Sequence, residues 1–179
     1  MRLAYTMAPG RGDIDLVLSR LADRLQRAGW RTCGVVQTNI DCGEANPCDM
    51  DVRVLPDGPV IRISQALGAQ AKGCRLDPSA LEQAVALVGA TLGQGTDVLI
   101  INKFGKHEAE GRGFRDLIAE ALSLNIPVIV GVNGLNLNLF LEFAGDMAVE
   151  AASDPALLEE WLGPQVRRNP QPEAVTRFA

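Results

Sequence analysis

The chain has 179 residues, of which 47% are hydrophobic and 22% charged, proportions of an ordinary globular domain rather than a disordered or fibrous chain. Seventeen Lys and Arg against twenty-two Asp and Glu leave a net charge of −5, which argues against a general nucleic-acid or membrane-surface binder and confines any anion site to a local cluster. Aromatic residues make up only 4%, so the core has to be built from Ala, Val, Leu and Ile.

Leu3 to Met7 is a short apolar run that ends in the turn-rich Ala8-Pro9-Gly10-Arg11-Gly12-Asp13. Ile14, Val17, Leu18, Leu21, Leu25 and Ala28 then recur at helical spacing, and Gly29 follows as a C′ stop. Thr32 to Gln37 has the length of a strand, which completes a βαβ opening. From Thr38 to Gly73 the helical rhythm ceases. Met50, Val52 and Val54 alternate with Asp51 and Arg53 before Pro56-Asp57-Gly58-Pro59, and Ile61 and Ile63 alternate with Arg62 and Ser64, predicting an antiparallel hairpin inserted between α/β units. Asp77 as N-cap and Pro78 at N1 open a helix whose buried stripe is Leu81, Ala84, Val85, Val88 and Leu92.

Asp97 to Asn102 reads as a continuous apolar strand, and a helix from about Gly113 carries Phe114, Leu117, Ile118, Ala121 and Leu122 on one face. Pro127 to Val132 is a further strand, Leu137 to Phe143 a short helix, Met147 to Ala151 an edge strand and Pro155 to Leu162 a last helix. Apolar runs alternating with amphipathic helices predict an α/β three-layer sandwich with a mostly parallel sheet. The expected organisation is one domain over 1–163, with an insertion at about 38–73 and a tail over 164–179. The most apolar stretch, Ile126 to Phe143, is interrupted by Asn133, Asn136, Asn138 and Glu142, too polar for a bilayer span. The N-terminus lacks the apolar run of a signal peptide, so the expected location is the cytoplasm. Cys33, Cys42, Cys48 and Cys74 form no CxxC pair and the chain has one His, so no metal site is expected and the thiols read as reduced.

Ligands of open parallel sheets bind at the carboxyl ends of the strands, which directs attention to the loops after Met7, Gln37, Asn102 and Val132. The first lies where a phosphate-binding P-loop belongs. It keeps Gly12, with Gly10 beside it, but has Met7 in place of the first Gly, Asp13 in place of the phosphate-contacting Lys and Ile14 in place of the magnesium-binding hydroxyl. Asp13 is expected to cap the helix and to repel a triphosphate. The second loop, Asn102 to Arg115, combines Lys103, Lys106, Arg112 and Arg115 with Gly105, Gly111 and Gly113, a pattern suited to an anion cradle. Its opposing reading is a charged turn whose glutamates pair with its own cations. A third segment offers Ser64, Gln65, Lys72 and Arg75 as donors between the hairpin and the next helix. His107 reads as an exposed residue, not a ligand.

The separated runs Cys48-Asp49-Met50-Asp51, Ile63-Ser64-Gln65, Leu67-Gly68, Gly73-Cys74-Arg75-Leu76-Asp77 and Asn102-Lys103-Phe104-Gly105-Lys106 through Arg115 resemble an uncharacterised bacterial family often found beside molybdenum-uptake genes. More distantly, Gly105-Lys106-His107-Glu108 is similar to the Gly-Lys-x-Glu segment that follows the acidic Walker B strand in small P-loop nucleoside-triphosphatases of hyperthermophiles. The resemblance implies a P-loop NTPase-like sandwich and a setting of molybdate handling. Here Asn102 and Lys103 replace the Walker B acids. The expectation is therefore a non-hydrolytic protein that binds a small anion, either a molybdate-like oxyanion or a nucleotide phosphate, through Lys103, Lys106, Arg112, Arg115, Asn102, Ser64, Gln65, Lys72, Arg75, Gly10 and Gly12. The absent Walker groups weigh against an enzyme. The enzymatic alternative is an NTPase or phosphotransferase using Lys106, Glu108 and Glu110, with Glu108 activating water; a third reading is a protein-binding scaffold. Expected partners are the small anion and a second copy of the chain or a molybdenum-pathway protein, with neither nucleic acid nor membrane insertion.

Overall fold

The continuous apolar runs of the sequence form the middle of one sheet. The computed structural model describes residues 2–10, 12–40, 49–65, 75–93 and 95–166. Its strands are β1 (Leu3–Thr6), β2 (Thr32–Ile40), β3 (Asp49–Leu55), β4 (Val60–Arg62), β5 (Val98–Phe104), β6 (Val128–Val132) and β7 (Ala148–Glu150). They lie in the order β4-β3-β2-β5-β6-β1-β7. The pairs β2–β5, β5–β6, β6–β1 and β1–β7 are parallel. The alternating segment after Thr38 pairs antiparallel, as its polar–apolar alternation predicts: β4 runs against β3 and β3 against β2. The hairpin thus extends the same sheet. Strand β2 continues past Gln37 to Ile40 because this pairing reaches Ile40 opposite Asp49.

Helices cover both faces, since the central strands are apolar on both sides. On one face α1 (Asp13–Arg27) and α6 (Pro155–Leu162) pack through Leu18, Leu21, Leu25, Leu158 and Leu162 against Ala4, Val98, Ile100 and Ile129. Each of these fully buried leucines contributes about 1.5–3 kcal/mol. On the other face α2 (Pro78–Thr91), α4 (Arg115–Ser123) and α5 (Leu137–Ala144) bury Leu81, Ala84, Val88, Ile118, Ala121 and Phe140 over Leu3, Val35, Leu99 and Val130. Asp77 caps α2 by accepting from the Ser79 and Ala80 amides, with Pro78 at N1. Among the described residues no helix is long and apolar enough to cross a membrane.

Two local expectations are corrected. Asp13 does not cap α1: Gly12, in the left-handed region with φ 86°, holds that position, and Asp13 is the first helical residue. The stretch after β5 is not an open loop either, because Lys106–Ala109 forms a single helical turn, α3. Lys72, Cys42, Cys48, Cys74, Arg11 and the tail beyond Val166 lie outside the described residues.

Candidate functional site

At the carboxyl end of β1 the chain turns into α1 through the segment that stands in place of a phosphate loop. The Asp13 carboxylate folds back and accepts the Gly10 amide proton at 3.0 Å. The loop supplies its own anion, and a backbone N–H that a phosphate would otherwise use is taken. Asp15, one turn face away, is buried with 4% exposure. Asn102, 2% exposed at the end of β5, donates from Nδ2 to Asp15 Oδ1 at 2.7 Å and accepts from the Gln37 amide at 2.9 Å. The Gln37 side-chain amide donates to Asp15 Oδ2 at 3.4 Å. Asn102 is therefore a brace joining β5, β2 and α1. An aspartate there would face a second carboxylate.

The turn after β5 is organised by two buried side chains. Glu108, 3% exposed, accepts from the Gly105 amide at 2.9 Å and the Phe114 amide at 3.4 Å. His107 is buried as well, contrary to its expected exposure, because its Nε2 meets Glu82 of α2 at 2.9 Å. The same Glu82 oxygen accepts from the Gly113 amide at 3.0 Å. Gly113 has φ +59°, and a Cβ there would run into the Glu108 carboxylate; only glycine suits this position.

Burial pushes the Glu108 carboxyl above its ordinary value of 4.5, against the opposing pull of the Gly105 and Phe114 amides. A folded-state pKa above the unfolded one makes the folded state bind the proton more tightly. The stabilisation from this group is then complete below the unfolded pKa and is lost as pH rises through the raised folded value. Wild-type stability should fall relative to Glu108→Gln as pH rises above about 4.5, measured by urea unfolding at each pH. A gap independent of pH would contradict this placement.

The cations of this segment are dispersed. Lys106, its side chain 85% exposed, pairs with Glu110 at 3.5 Å, and Arg112 pairs with the same carboxylate. The Arg112 bond holds the Glu110 carboxyl below its ordinary value. Arg115 turns to α5, its guanidinium carbon 4.4 Å from the centre of the Phe143 ring, and donates to the Glu108 carbonyl at 3.5 Å. Arg112 lines a groove beside Glu82 and Asp116 that meets the cleft described next at Pro78 and His107. Lys103 makes no ion pair among the described residues and is the exposed residue of β5. Of the third segment, Ser64 accepts from the Met50 amide at 3.1 Å and donates to Asp49 at 3.3 Å, while Arg75 reaches Asp49 at 3.4 Å. Both therefore serve the hairpin's attachment.

A cleft of about 520 Å³ opens between the carboxyl ends of β2 and β5, the hairpin, and the start of α2. Its walls are apolar: Val35, Met50, Val52, Ile63, Leu76, Leu81 and Phe114. Its polar lining is Gln37, Gln65, Asn102, Lys103, Lys106, His107, Glu108 and Glu110, of which Gln37, Asn102, His107 and Glu108 are buried. Of the residues expected from sequence, the fold brings Asn102, Lys103, Lys106, Gln65, Glu108 and Glu110 to this cleft. Arg112, Arg115, Ser64, Arg75, Gly10 and Gly12 are not among its lining. Sequence reasoning missed the apolar walls and two carboxylates, Glu82 and Asp15. Asp15 had a signal: an acidic residue next to Ile14 and three before Leu18, beside a stripe that is otherwise apolar. Glu82 had none. Among the described residues no group of three or more His, Cys, Asp and Glu is arranged to hold a metal ion.

Residues 3–161 match the family model described as "Protein of unknown function (DUF2478)". Over 160 residues the chain is 35% identical to the "Molybdenum import ATP-binding protein ModC 2" of Bradyrhizobium diazoefficiens, a match covering 89% of this chain and 18% of that protein. The chain thus corresponds to a small part of that relative. Two solved structures share its fold. THEP1 from the hyperthermophile Aquifex aeolicus superposes with a TM-score of 0.65 at 18% identity, over 94% of this chain and all of the other. A human cancer-related nucleoside triphosphatase gives 0.61 at 20% identity, over 90% of this chain and 95% of the other. These two likenesses show the fold.

Proposed function

The chain belongs to the DUF2478 family, and from that premise we propose that it is a non-hydrolytic relative of the P-loop NTPases that binds a small anion at the carboxyl edge of its sheet, in the handling of molybdenum. One observation carries the non-hydrolytic part: the Asp13 carboxylate occupies the Gly10 amide in the loop where a triphosphate would sit. A carboxylate there repels the phosphates that a lysine would attract. Asn102, engaged on both sides, leaves no acid at the end of β5 to hold magnesium. The anion part is supported by Lys103 at the cleft, where no carboxylate pairs with it among the described residues. The molybdenum part is supported by the 35% identical segment inside a protein named for molybdenum import. Glu108 supports a structural role over that of a water-activating base, because both its oxygens accept backbone protons.

A thermal-shift screen of molybdate, tungstate, sulfate, phosphate, ATP and GTP tests this reading. A ligand present at a hundred times its Kd adds about 2.7 kcal/mol. For a chain of this size that is a rise in Tm of about 5–10 °C. At least one member of the panel should produce it, and Lys103→Ala combined with Lys106→Ala should remove it with little change in the unliganded Tm. A panel without effect, or a shift that survives in the double variant, overturns the anion site.

A further inference from the structure

The cleft is the wrong shape and chemistry for a bare tetraoxyanion. Such an ion is small, strongly hydrated and needs donors on several sides, whereas most of this surface is hydrocarbon from Val35, Val52, Ile63, Leu76, Leu81 and Phe114. We propose, resting on the anion-binding reading above, that the ligand is an organic anion with a flat apolar or heteroaromatic body: the body lies against the apolar walls and the anionic group meets Lys103 and Lys106 at the rim.

Three observations carry this. The first is size, since about 520 Å³ falls within the range that small-molecule ligands occupy. The second is the backbone of β5. Its pairing with β6 slips between Ile101, opposite Val130, and Phe104, opposite Val132, so β5 carries one extra residue. A bulge of this kind re-aims side chains and recurs beside binding sites. Here it leaves Phe104 fully buried and Lys103 exposed on the cleft's rim. The third is the charge balance. Both carboxylates at the cleft oppose an anion, but Glu108 is spent on the Gly105 and Phe114 amides and Glu110 is shared by Lys106 and Arg112. With Glu110 held by Lys106 and Arg112, Lys103 is the cation of the cleft's lining that makes no ion pair among the described residues. Gln65 adds a polar edge: its Nε2 donates to the Leu76 carbonyl, which fixes the side chain at the cleft mouth.

Calorimetric titration of the full chain with 1-naphthyl phosphate, 1-naphthalenesulfonate, GMP and inorganic phosphate separates the body from the charge. The ring-bearing anions should bind about tenfold or more tightly than phosphate, from the apolar area they bury. GMP tighter than both naphthyl probes assigns a purine body; naphthyl probes as tight as GMP assign a body read by apolar area alone, and either result supports the proposal. Lys103→Ala should weaken each ring-bearing anion by about fivefold to tenfold. Leu76→Ala should weaken 1-naphthyl phosphate and leave phosphate unchanged, and Met50→Ala provides the same test if Leu76→Ala fails to fold. Phosphate binding as tightly as the ring-bearing anions overturns the organic body while the anion site stands. Absence of binding by every probe, or affinities unmoved in Lys103→Ala, removes both.

Discussion

Asn102→Asp is expected to destabilise the protein by about 3–5 kcal/mol at neutral pH, the scale of placing an uncompensated charge in the interior. In the wild type Asn102 Nδ2 donates to Asp15 Oδ1 at 2.7 Å, and both residues are almost wholly out of solvent. The substitution replaces that N–H with an oxygen and sets two buried carboxylates against each other. Two buried carboxylates in contact share a proton, which raises one of their pKa values strongly. The folded variant then binds a proton that its unfolded chain releases, so its deficit should shrink as pH falls towards about 4. Denaturant unfolding at pH 7 and pH 5 measures both effects. A variant as stable as the wild type at pH 7 would mean that the Asn102–Asp15 brace does not hold β5 to α1.

Hydrolysis of magnesium ATP or GTP should proceed at background, about a thousandfold or more below the 1–100 per second common in phosphoryl-transfer enzymes such as kinases. That chemistry depends on cations and donors placed around the phosphates, since little else lowers its barrier. In this chain Asp13 stands where a lysine is needed, Ile14 where a hydroxyl is needed, and Asn102 and Lys103 where acids are needed. The folded geometry compounds those losses, because Asp13 closes the loop on Gly10 and Asn102 is bound on both sides. Phosphate release followed over hours is the measurement. Turnover near about 1 per second that disappears in Glu108→Gln would make Glu108 a base and the protein an enzyme.

The sheet and its helices were legible because their signals are local. Asp77-Pro78 announces α2 within two residues, and the unbroken run from Val98 to Ile101 can only be a strand buried on both faces. The site was less legible because its decisive partners are remote in sequence. Asn102 looks like an open polar strand end until Asp15, 87 residues earlier, is brought against it. His107 looks exposed until Glu82 reaches it from another helix. Lys106 and Arg112 read as two cations free for a ligand, yet the fold gives them one glutamate to share. The apolar walls are assembled from β2, β3, α2 and the segment before α4, and no single stretch of sequence records that they meet.

The proposed anion site is the cleft beside Lys103, not the loop that Asp13 closes on Gly10. A ¹H–¹⁵N correlation spectrum recorded through a titration with 1-naphthyl phosphate reads this residue by residue. The predicted result is a set of saturating shifts at the amides of Gln65, Lys103, Gly105 and Lys106, with Gly10, Gly12 and Asp13 unmoved. Saturating shifts at Gly10, Gly12 and Asp13, with the amides around Lys103 unmoved, would contradict it.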